Sequence, residues 1–355
     1  MVLARASVVR DHVIMKLSWE RVSLQTKLPF VIARWGYSGH ENVIVSVSDD
    51  GVTGMGEAAP NRYYDESPDS VVAALERYQP LIEGAAYWSL EATEAALATA
   101  LRGNASARAA VSSALHDLYA RKLGVPLHRM WGLSTDVMPL SSFTIAIDDV
   151  VGLKRRVDEA AQYPILKIKL GTDRDEEIVR TVREAAPDKV LRVDANAAWT
   201  PQEAIIQCAM LRDNGVESLE QPVAAADIDG MRFVRERCGM PVIADESCLV
   251  ARDIPKLAGA CDAINIKLAK CGSLREAIRL VHTARAHNLG VMAGCMIETS
   301  LGISAIAQLA PLLDTADFDG AALLADDPFQ GVTITGGSVA LMDAPGLGVT
   351  RRPPA

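Results

Sequence analysis

Ile165-Leu166-Lys167-Ile168-Lys169-Leu170-Gly171 is typical of a buried β-strand that ends in a glycine turn. Side chains two positions apart on a strand point to the same face, so Lys167 and Lys169 lie together on one side. Two ammonium groups on a closed apolar face would cost several kcal/mol unless negative groups face them. The strand therefore predicts acidic partners elsewhere in the chain.

Charged residues recur after Lys169 at a nearly constant interval. Asp194, Glu220, Asp245 and Lys270 follow it at successive steps of 25, 26, 25 and 25 positions, each at or just past the end of a short apolar run. A step of about 25 residues accommodates one strand, one helix and two short loops. Charges that arrive once per βα unit, at the same strand ends, indicate the mouth of a β/α barrel.

The alternation of strands and helices from residue 139 onward predicts the fold class. Candidate strands begin near residues 139, 164, 189, 215, 241, 262, 290 and 319, so residues 126–325 are expected to form the (β/α)8-type barrel of an α/β protein. Residues 1–125 have strands first and then helices at about 68–82, 90–100 and 105–123, an order that predicts a separate α+β domain. The Gly- and Pro-rich residues 326–355 are expected to return to that first domain.

The composition argues against several classes of protein. A net charge of −9 over 355 residues disfavours a nucleic-acid partner or an anionic membrane surface. The six cysteines form no C-x-x-C pair, which favours reduced thiols, and no apolar run reaches the ~18 residues of a membrane-spanning helix. The first ten residues lack the apolar core of a signal peptide, so a cytoplasmic location is the default expectation.

Three carboxylates from consecutive strand ends favour one Mg²⁺ per subunit. Asp194, Glu220 and Asp245 would supply hard oxygen ligands and leave positions open for substrate oxygens. Lys169 and Lys270 stand before and after them, and are expected to approach such a metal from opposite sides. This arrangement suits removal of an α-proton beside a substrate carboxylate by one lysine. The metal would stabilise the resulting enediolate, and the other lysine would return a proton.

Any one of these residues alone would more often be an ordinary solvated or paired charge. A Lys-x-Lys pair or an acidic residue at a strand end is common. Five charges that recur every 25 or 26 positions near the ends of successive strands are hard to ascribe to chance. Lys167 belongs to the predicted catalytic group because a second positive charge on the same face disfavours the protonated form of Lys169.

These motifs resemble the enolase superfamily, in its muconate-cycloisomerase-like subgroup, over nearly the whole chain. The resemblance is carried by Lys167–Lys169, Val193–Asn196, Leu219–Pro222, Ala244–Ser247, Asn265–Gly272, Gly54–Pro60 and Ala114–Leu118. It implies that the first domain caps the barrel mouth and that a loop at about residues 29–40 selects the substrate. It also implies Mg²⁺ as the cofactor, with Asn196 and Glu246 supporting the metal ligands.

The last predicted barrel strand indicates which enzymes of the superfamily the chain resembles. Asp317-Phe318-Asp319-Gly320 is similar to the Asp-x-Asp motif of dipeptide epimerases, whose two aspartates hold the ammonium group of the substrate's first residue. Residues i and i+2 on one strand would place two carboxylates side by side, which suits a cation. The resemblance therefore implies a dipeptide as the small-molecule partner and epimerisation at the α-carbon of its C-terminal residue.

Further residues complete the predicted substrate site. Glu298 lies in Cys295–Ser300, which also resembles that family, and Thr144 lies in the first predicted barrel strand. Arg34, in the loop of the first domain, is either a surface charge or the residue that meets a glutamate side chain, as resemblance to Ala-Glu epimerases implies. The second residue of the dipeptide and the oligomeric state, a homo-oligomer included, stay open.

Two alternatives compete with the epimerase. N-succinylamino-acid racemase, o-succinylbenzoate synthase and lactone-forming cycloisomerases use the same lysine pair. Their substrates are anionic or lack an ammonium group, so Asp317 and Asp319 would repel them. A barrel that binds a ligand without catalysis is the more remote alternative, and the retention of both lysines and all three carboxylates argues against it.

Overall fold

The computed structural model describes residues 15–353, so the first ten residues, for which the sequence predicts no signal peptide, lie outside it. The described chain begins with an antiparallel sheet of β1 (Lys16–Val31), β2 (Gly36–Asp49) and β3 (Val52–Ala58), arranged in that order. Between β2 and β3, Asp50 and Gly51 have φ values of 49° and 75°. These left-handed values favour Gly, Asn and Asp, which explains why the chain reverses at this dipeptide.

Three helices pack on this sheet: α1 (Pro68–Glu83), α2 (Leu90–Ala100) and α3 (Ala105–Leu123). Their bounds agree with the predicted helices to within one residue. Ser67 begins α1 by accepting the N–H of Ser70 at 3.2 Å. Helix α3 lies so close to β3 that a Cβ at Gly54 would be 2.1 Å from the carbonyl oxygen of Ala114. The backbones can approach this closely because Gly54 has no side chain.

After a short helix, α4 (Leu127–Met130), the chain forms a parallel sheet of eight strands. These are β4 (Phe143–Ile145), β5 (Ile165–Lys169), β6 (Val190–Asp194), β7 (Val216–Glu220), β8 (Val242–Ala244), β9 (Ala263–Ile266), β10 (Gly290–Gly294) and β11 (Thr315–Asp317). Each strand pairs with the next in sequence, and a bridge between Ser141 and Ala316 joins the first to the last. The predicted α/β fold, a (β/α)8-type barrel with a capping domain, is confirmed.

Helices cover the outside of this sheet. They are α5 (Val150–Glu159), α6 (Asp175–Ala185), α7 (Pro201–Asp213), α8 (Ile228–Cys238), α9 (Ile254–Leu257), α10 (Leu268–Cys271), α11 (Leu274–Ala286) and α12 (Ser300–Ala307). In α7, Thr200 and Glu203 cap each other's backbone N–H groups, and Pro201 occupies the first turn, where no N–H is needed. None of the helices within residues 15–353 has the length and apolar character needed to cross a membrane.

The last strand differs from the prediction. The sequence places a strand near Asp319, but β11 ends at Asp317, and residues Asp319–Leu323 form a 3₁₀ turn. Because β11 has only three residues, the alternation of its side chains does not continue through Asp319. The two aspartates therefore come from a strand end and the turn that follows, not from one strand.

The C-terminal residues contact the first domain. Asp117 on α3 accepts the N–H of Leu347 at 2.7 Å, and Arg121 donates to the carbonyl oxygen of Val349 at 2.9 Å. The segment contains β12 (Phe329–Gln330), which pairs with β15 (Thr350–Arg351), and β13 (Thr333–Thr335), which pairs with β14 (Ser338–Ala340). These bonds tie the end of the chain to the central helix of the cap.

Candidate active site

Three acidic side chains meet at the mouth of the barrel. Asp194 and Glu220 are the last residues of β6 and β7, and Asp245 directly follows β8. All are buried, and one carboxylate oxygen of each lies within 4.8 Å of those of the others. Burial raises the pKa of Glu220 to about 7, with Asp194 and Asp245 contributing and Lys167 opposing them. Buried carboxylates this close repel one another unless cations share their charge, so the donor set fits a hard cation such as Mg²⁺.

Lys167 lies among carboxylates. Its Nζ is 2.8 Å from Glu220 Oε2, 2.9 Å from Asp317 Oδ2 and 3.4 Å from Asp194 Oδ2. Burial by itself would lower the pKa of this amine, but the three carboxylates hold the pKa well above its usual value. Lys167 is therefore a fixed positive charge that links the acidic cluster to Asp317, and its contribution to catalysis stays a prediction.

Two lysines line the cavity from opposite sides of the acidic cluster. Lys169 ends β5, and its Nζ is 2.7 Å from Asp194 Oδ2. Lys267 directly follows β9, and its Nζ is 2.7 Å from Asp245 Oδ2. Strands β5 and β9 are four steps apart in the eight-stranded barrel, which places the two amines across the mouth from each other. Burial opposes the charge of Lys267, yet Asp245 and the other carboxylates raise its pKa.

The predicted position of Lys270 is corrected by the structure. Lys270 lies on α10, outside the residues that line the cavity, behind Asp245. The chain leaves β9 in an extended conformation at Lys267 and then enters a helical turn, so a side chain three positions on no longer points into the mouth. The alternation of Asn265 and Lys267 along β9 is the signal that identifies the inward lysine, as it does for Lys167 and Lys169.

The Asp-x-Asp residues form one wall of the cavity. Asp317 accepts the hydroxyl of Ser142 at 2.7 Å, and Asp319 accepts the backbone N–H of Thr144 at 2.6 Å. Despite burial, Lys167 and Lys169 lower the pKa of Asp317. Burial and the charge of Asp317 raise the pKa of Asp319 to about 7. Asp317, Asp319 and Thr144 all line the cavity, so the structure brings these predicted residues together.

Arg34 extends from the cap into the same cavity. It donates to Glu246 Oε1 at 2.6 Å and to the carbonyl oxygen of Asn196 at 2.7 Å, and its guanidinium lies 4.0 Å from the ring centroid of Tyr63. Arg34 is therefore not a surface charge. Asn196 also donates its N–H to Asp194 at 2.8 Å. Thus both Asn196 and Glu246 lie between the acidic cluster and the cap.

Glu298 is not where the sequence places it. Its side chain accepts the N–H of Met296 at 2.8 Å and faces the junction between cap and barrel rather than the cavity. There Glu57 of β3 accepts the N–H groups of Thr299 at 3.0 Å and Gly302 at 2.9 Å. Burial and the charge of Glu57 raise the pKa of Glu298 to about 7. Glu298 therefore does not line the cavity, and its predicted contact with substrate stays a prediction.

Several residues that line the cavity are not predicted from the sequence. They come from the loop after β3 and from the 3₁₀ turn after β11, namely Asn61, Tyr63, Tyr64 and Leu323. Aromatic and aliphatic residues in such positions are equally typical of an ordinary core, so no motif distinguishes them.

Models of known families match both domains. Residues 16–132 match the mandelate racemase / muconate lactonizing enzyme N-terminal domain, and residues 150–355 match the enolase C-terminal domain-like family. The L-Ala-D/L-amino acid epimerase of Maribacter sp. is 41% identical over 337 residues, which are 95% of this chain and 99% of that protein.

Solved structures agree with these matches. The substrate-liganded L-Ala-D/L-Glu epimerase from Bacillus subtilis has a TM-score of 0.91 at 32% identity and covers 95% of this chain and 98% of its own. The dipeptide epimerase from Cytophaga hutchinsonii, complexed with Mg and D-Ala-L-Val, has a TM-score of 0.91 at 27% identity and covers 96% of each chain. The resemblance seen in the motifs is confirmed: the chain belongs to the mandelate racemase / muconate lactonizing enzyme family of the enolase superfamily, in its dipeptide epimerase branch.

Proposed function

We propose that this protein is a Mg²⁺-dependent dipeptide epimerase that moves a proton between the two faces of the α-carbon of the substrate's C-terminal residue. The observation that carries the proposal is the placement of Lys169 and Lys267 on opposite sides of one cavity, with the acidic cluster between them. Two amines across a mouth suit a reaction that removes a proton from one face and supplies one to the other.

The acidic cluster would hold the cofactor. Asp194, Glu220 and Asp245 offer carboxylate oxygens, the ligands that Mg²⁺ prefers, and Asn196 and Glu246 would support them from behind. When bound, Mg²⁺ supplies positive charge that stabilises the negative charge developing on the substrate carboxylate.

Proton transfer would be divided between the two lysines of the cavity. In one direction Lys169 accepts the α-proton and the Lys267 ammonium donates a proton to the opposite face, and in the other direction the roles exchange. Lys267 takes the part that the sequence assigns to Lys270, because Lys267 faces the cavity. Lys167 stays protonated among its carboxylates and serves as a fixed charge.

The substrate class follows from the two aspartates beside Thr144. Asp317 and Asp319 would accept hydrogen bonds from the free ammonium of the first residue, which leaves the second residue between the lysines. Arg34 and Tyr63 of the cap would face the side chain of that second residue. Because Arg34 is already paired with Glu246, an acidic side chain there has to compete with that carboxylate.

The test is a library of dipeptides incubated with the enzyme and Mg²⁺ in D₂O and analysed by mass spectrometry. We expect one deuterium per molecule at the C-terminal residue of a subset of dipeptides, and none without the metal. Exchange into N-succinyl amino acids but not into any free dipeptide would replace the proposal with the racemase or synthase. Absence of exchange from every compound would favour a barrel without catalysis.

A further inference from the structure

The ammonium of Lys270 is one of the most completely bonded groups near the candidate site. Its side chain is 1% exposed. Nζ donates to the backbone oxygens of Asp245 at 2.6 Å, Asn265 at 2.8 Å and Cys248 at 3.2 Å, and to the Oδ1 atom of Asp245. An ammonium has three donors, so four acceptors leave none of them for a substrate. Lys270 therefore cannot exchange protons in the cavity from this position.

Lys270 bonds to Asp245 at a point where the hydrogen-bonded pairing of β8 with β9 has already ended. The pairing of β8 with β9 ends at Ala244 and Ile264, one residue before Asp245. On the other side, the side-chain oxygen of Gln221 accepts the N–H of Asp245 at 2.9 Å. Lys270 thus replaces the missing ladder on the β9 side by joining the backbone oxygens of Asp245 and Asn265.

Lys270 and Lys267 contact different oxygens of the Asp245 carboxylate. Lys270 contacts Oδ1 from behind, whereas Lys267, which lines the cavity, contacts Oδ2 at 2.7 Å. The carboxylate is therefore held by one oxygen at the wall and presents the other to the cavity, independently of where Lys267 points.

We propose that Lys270 is a positioning residue that fixes the Asp245 carboxylate in the orientation needed for the metal. This inference rests on the proposed function, since it assigns Asp245 to the Mg²⁺ site. Partners that orient a metal ligand typically change metal affinity or activity about 10–100-fold when removed. Loss of Lys270 should therefore weaken Mg²⁺ binding and slow α-proton exchange from both epimers equally, whereas loss of one catalytic lysine would abolish exchange from one epimer and spare it in the other.

The test compares Lys270→Met with Lys189→Met in the full-length protein. Lys189 is a matched control because its ammonium also donates to backbone oxygens, those of Ala160 at 2.6 Å and Ala161 at 2.9 Å. Lys189 lies just before the first residue of β6, and the candidate site lies at the other end of that strand. Calorimetric titration of metal-free protein with MgCl₂ gives the affinity, and deuterium exchange from each epimer over a range of Mg²⁺ concentrations gives the rates. A second variant, Lys270→Gln, keeps an N–H donor in the side chain but removes the charge.

We expect the Kd for Mg²⁺ to rise about 10–100-fold in Lys270→Met and less in Lys270→Gln, with no change in Lys189→Met. Exchange rates should fall by the same factor for both epimers and recover in part at high Mg²⁺. Unchanged Mg²⁺ affinity, exchange lost from one epimer only, or failure of both Lys270 variants to fold would overturn the positioning role. A wild-type enzyme that exchanges no α-proton would instead remove the proposed function, while the affinity titration still reports on Lys270.

Discussion

At the scale of single residues, the backbone conformation decides what each lysine can do. Lys267 and Lys270 are three positions apart, yet the first is extended and faces the cavity while the second is helical and faces the wall. Lys167 and Lys169 share one face of β5, yet Lys167 contacts three carboxylates and Lys169 contacts Asp194. The roles of these amines follow from such contacts and not from the presence of lysine alone.

Replacing Lys169 by Ala should stop epimerisation in both directions, because each direction needs one proton acceptor and one proton donor. Lys267 should still exchange the α-proton of the epimer that presents its hydrogen to that side, and Lys267→Ala should show the opposite preference. Proton NMR of each pure epimer in D₂O measures both outcomes. Interconversion at the wild-type rate in Lys169→Ala would contradict the two-lysine scheme.

The contribution of the proposed contact between Asp319 and the substrate ammonium to kcat/KM can be measured separately from that of the rest of the site. Charge-assisted hydrogen bonds contribute about 1.5–3 kcal/mol, so Asp319→Asn should lower kcat/KM by about one to two powers of ten. N-acetylation of the dipeptide removes the same charge and should harm the wild type similarly.

The N-acetyl substrate should cost the Asp319→Asn variant much less than it costs the wild type, because the contact is already weakened. The four combinations of enzyme and substrate form a cycle that isolates this one contact. Fully additive losses would show that Asp319 does not meet the ammonium group.

At the scale of elements, the ends of β5 to β9 bring together residues that are far apart in sequence. The strands are short and parallel, so their carboxyl ends lie at one rim. At this rim Lys169, Asp245 and Lys267 line the cavity, and Asp194, Glu220 and Asp245 form the acidic cluster. Within the cap, β3 and α3 pack without a side chain between them at Gly54.

Replacing Gly54 by Ala should destabilise the cap. The new Cβ would lie 2.1 Å from the carbonyl oxygen of Ala114 and 2.3 Å from the backbone nitrogen of Leu118, and neither backbone atom can move freely. Overpacking of this kind typically costs about 1–3 kcal/mol of unfolding free energy. Urea unfolding measures it, with Gly84→Ala as the control, since a Cβ there meets only the carbonyl oxygen of Pro80 at 3.2 Å. Equal stability of the two variants would show that the cap accommodates the methyl group.

At the scale of the whole molecule, two buried carboxylates lie where cap and barrel meet. Glu57 belongs to the cap and Glu298 to the barrel, and burial raises the pKa of both, that of Glu298 to about 7. The pKa of an unfolded glutamate is about 4.3, so the folded protein binds this proton more tightly. The free energy of unfolding should therefore decrease as the pH rises from about 4 to about 7 and then remain level with respect to this group.

Glu298→Gln should remove that part of the pH dependence. Relative to the wild type, the variant should gain stability on the order of 3 kcal/mol between pH 4.5 and 7.5, because one pKa unit corresponds to about 1.4 kcal/mol. Urea unfolding of both proteins at several pH values measures the difference, and the change with pH separates ionisation from any packing defect. A difference that does not vary with pH would show that Glu298 is ionised throughout the range.

The sequence by itself determined the barrel, the helices of the cap and the acidic cluster. Each rests on a local or periodic rule: alternation on a strand, caps and glycines at helix ends, and one charge per βα unit at the same strand end. Because these rules act within about 25 residues, Asp194, Glu220 and Asp245 could be assigned to one rim without knowledge of the packing.

Only the tertiary structure decided which lysine faces the cavity, where Glu298 points and what surrounds Lys167. A single turn of helix after β9 turns Lys270 away from the mouth, and the short β11 ends before Asp319. Glu298 faces Glu57 across the junction of two domains that are distant in sequence. Such contacts depend on where the backbone bends and on which segments pack against each other. Alternation along β9 favours Lys267 as the inward lysine, but only the packed structure shows where that strand ends and the helical turn begins.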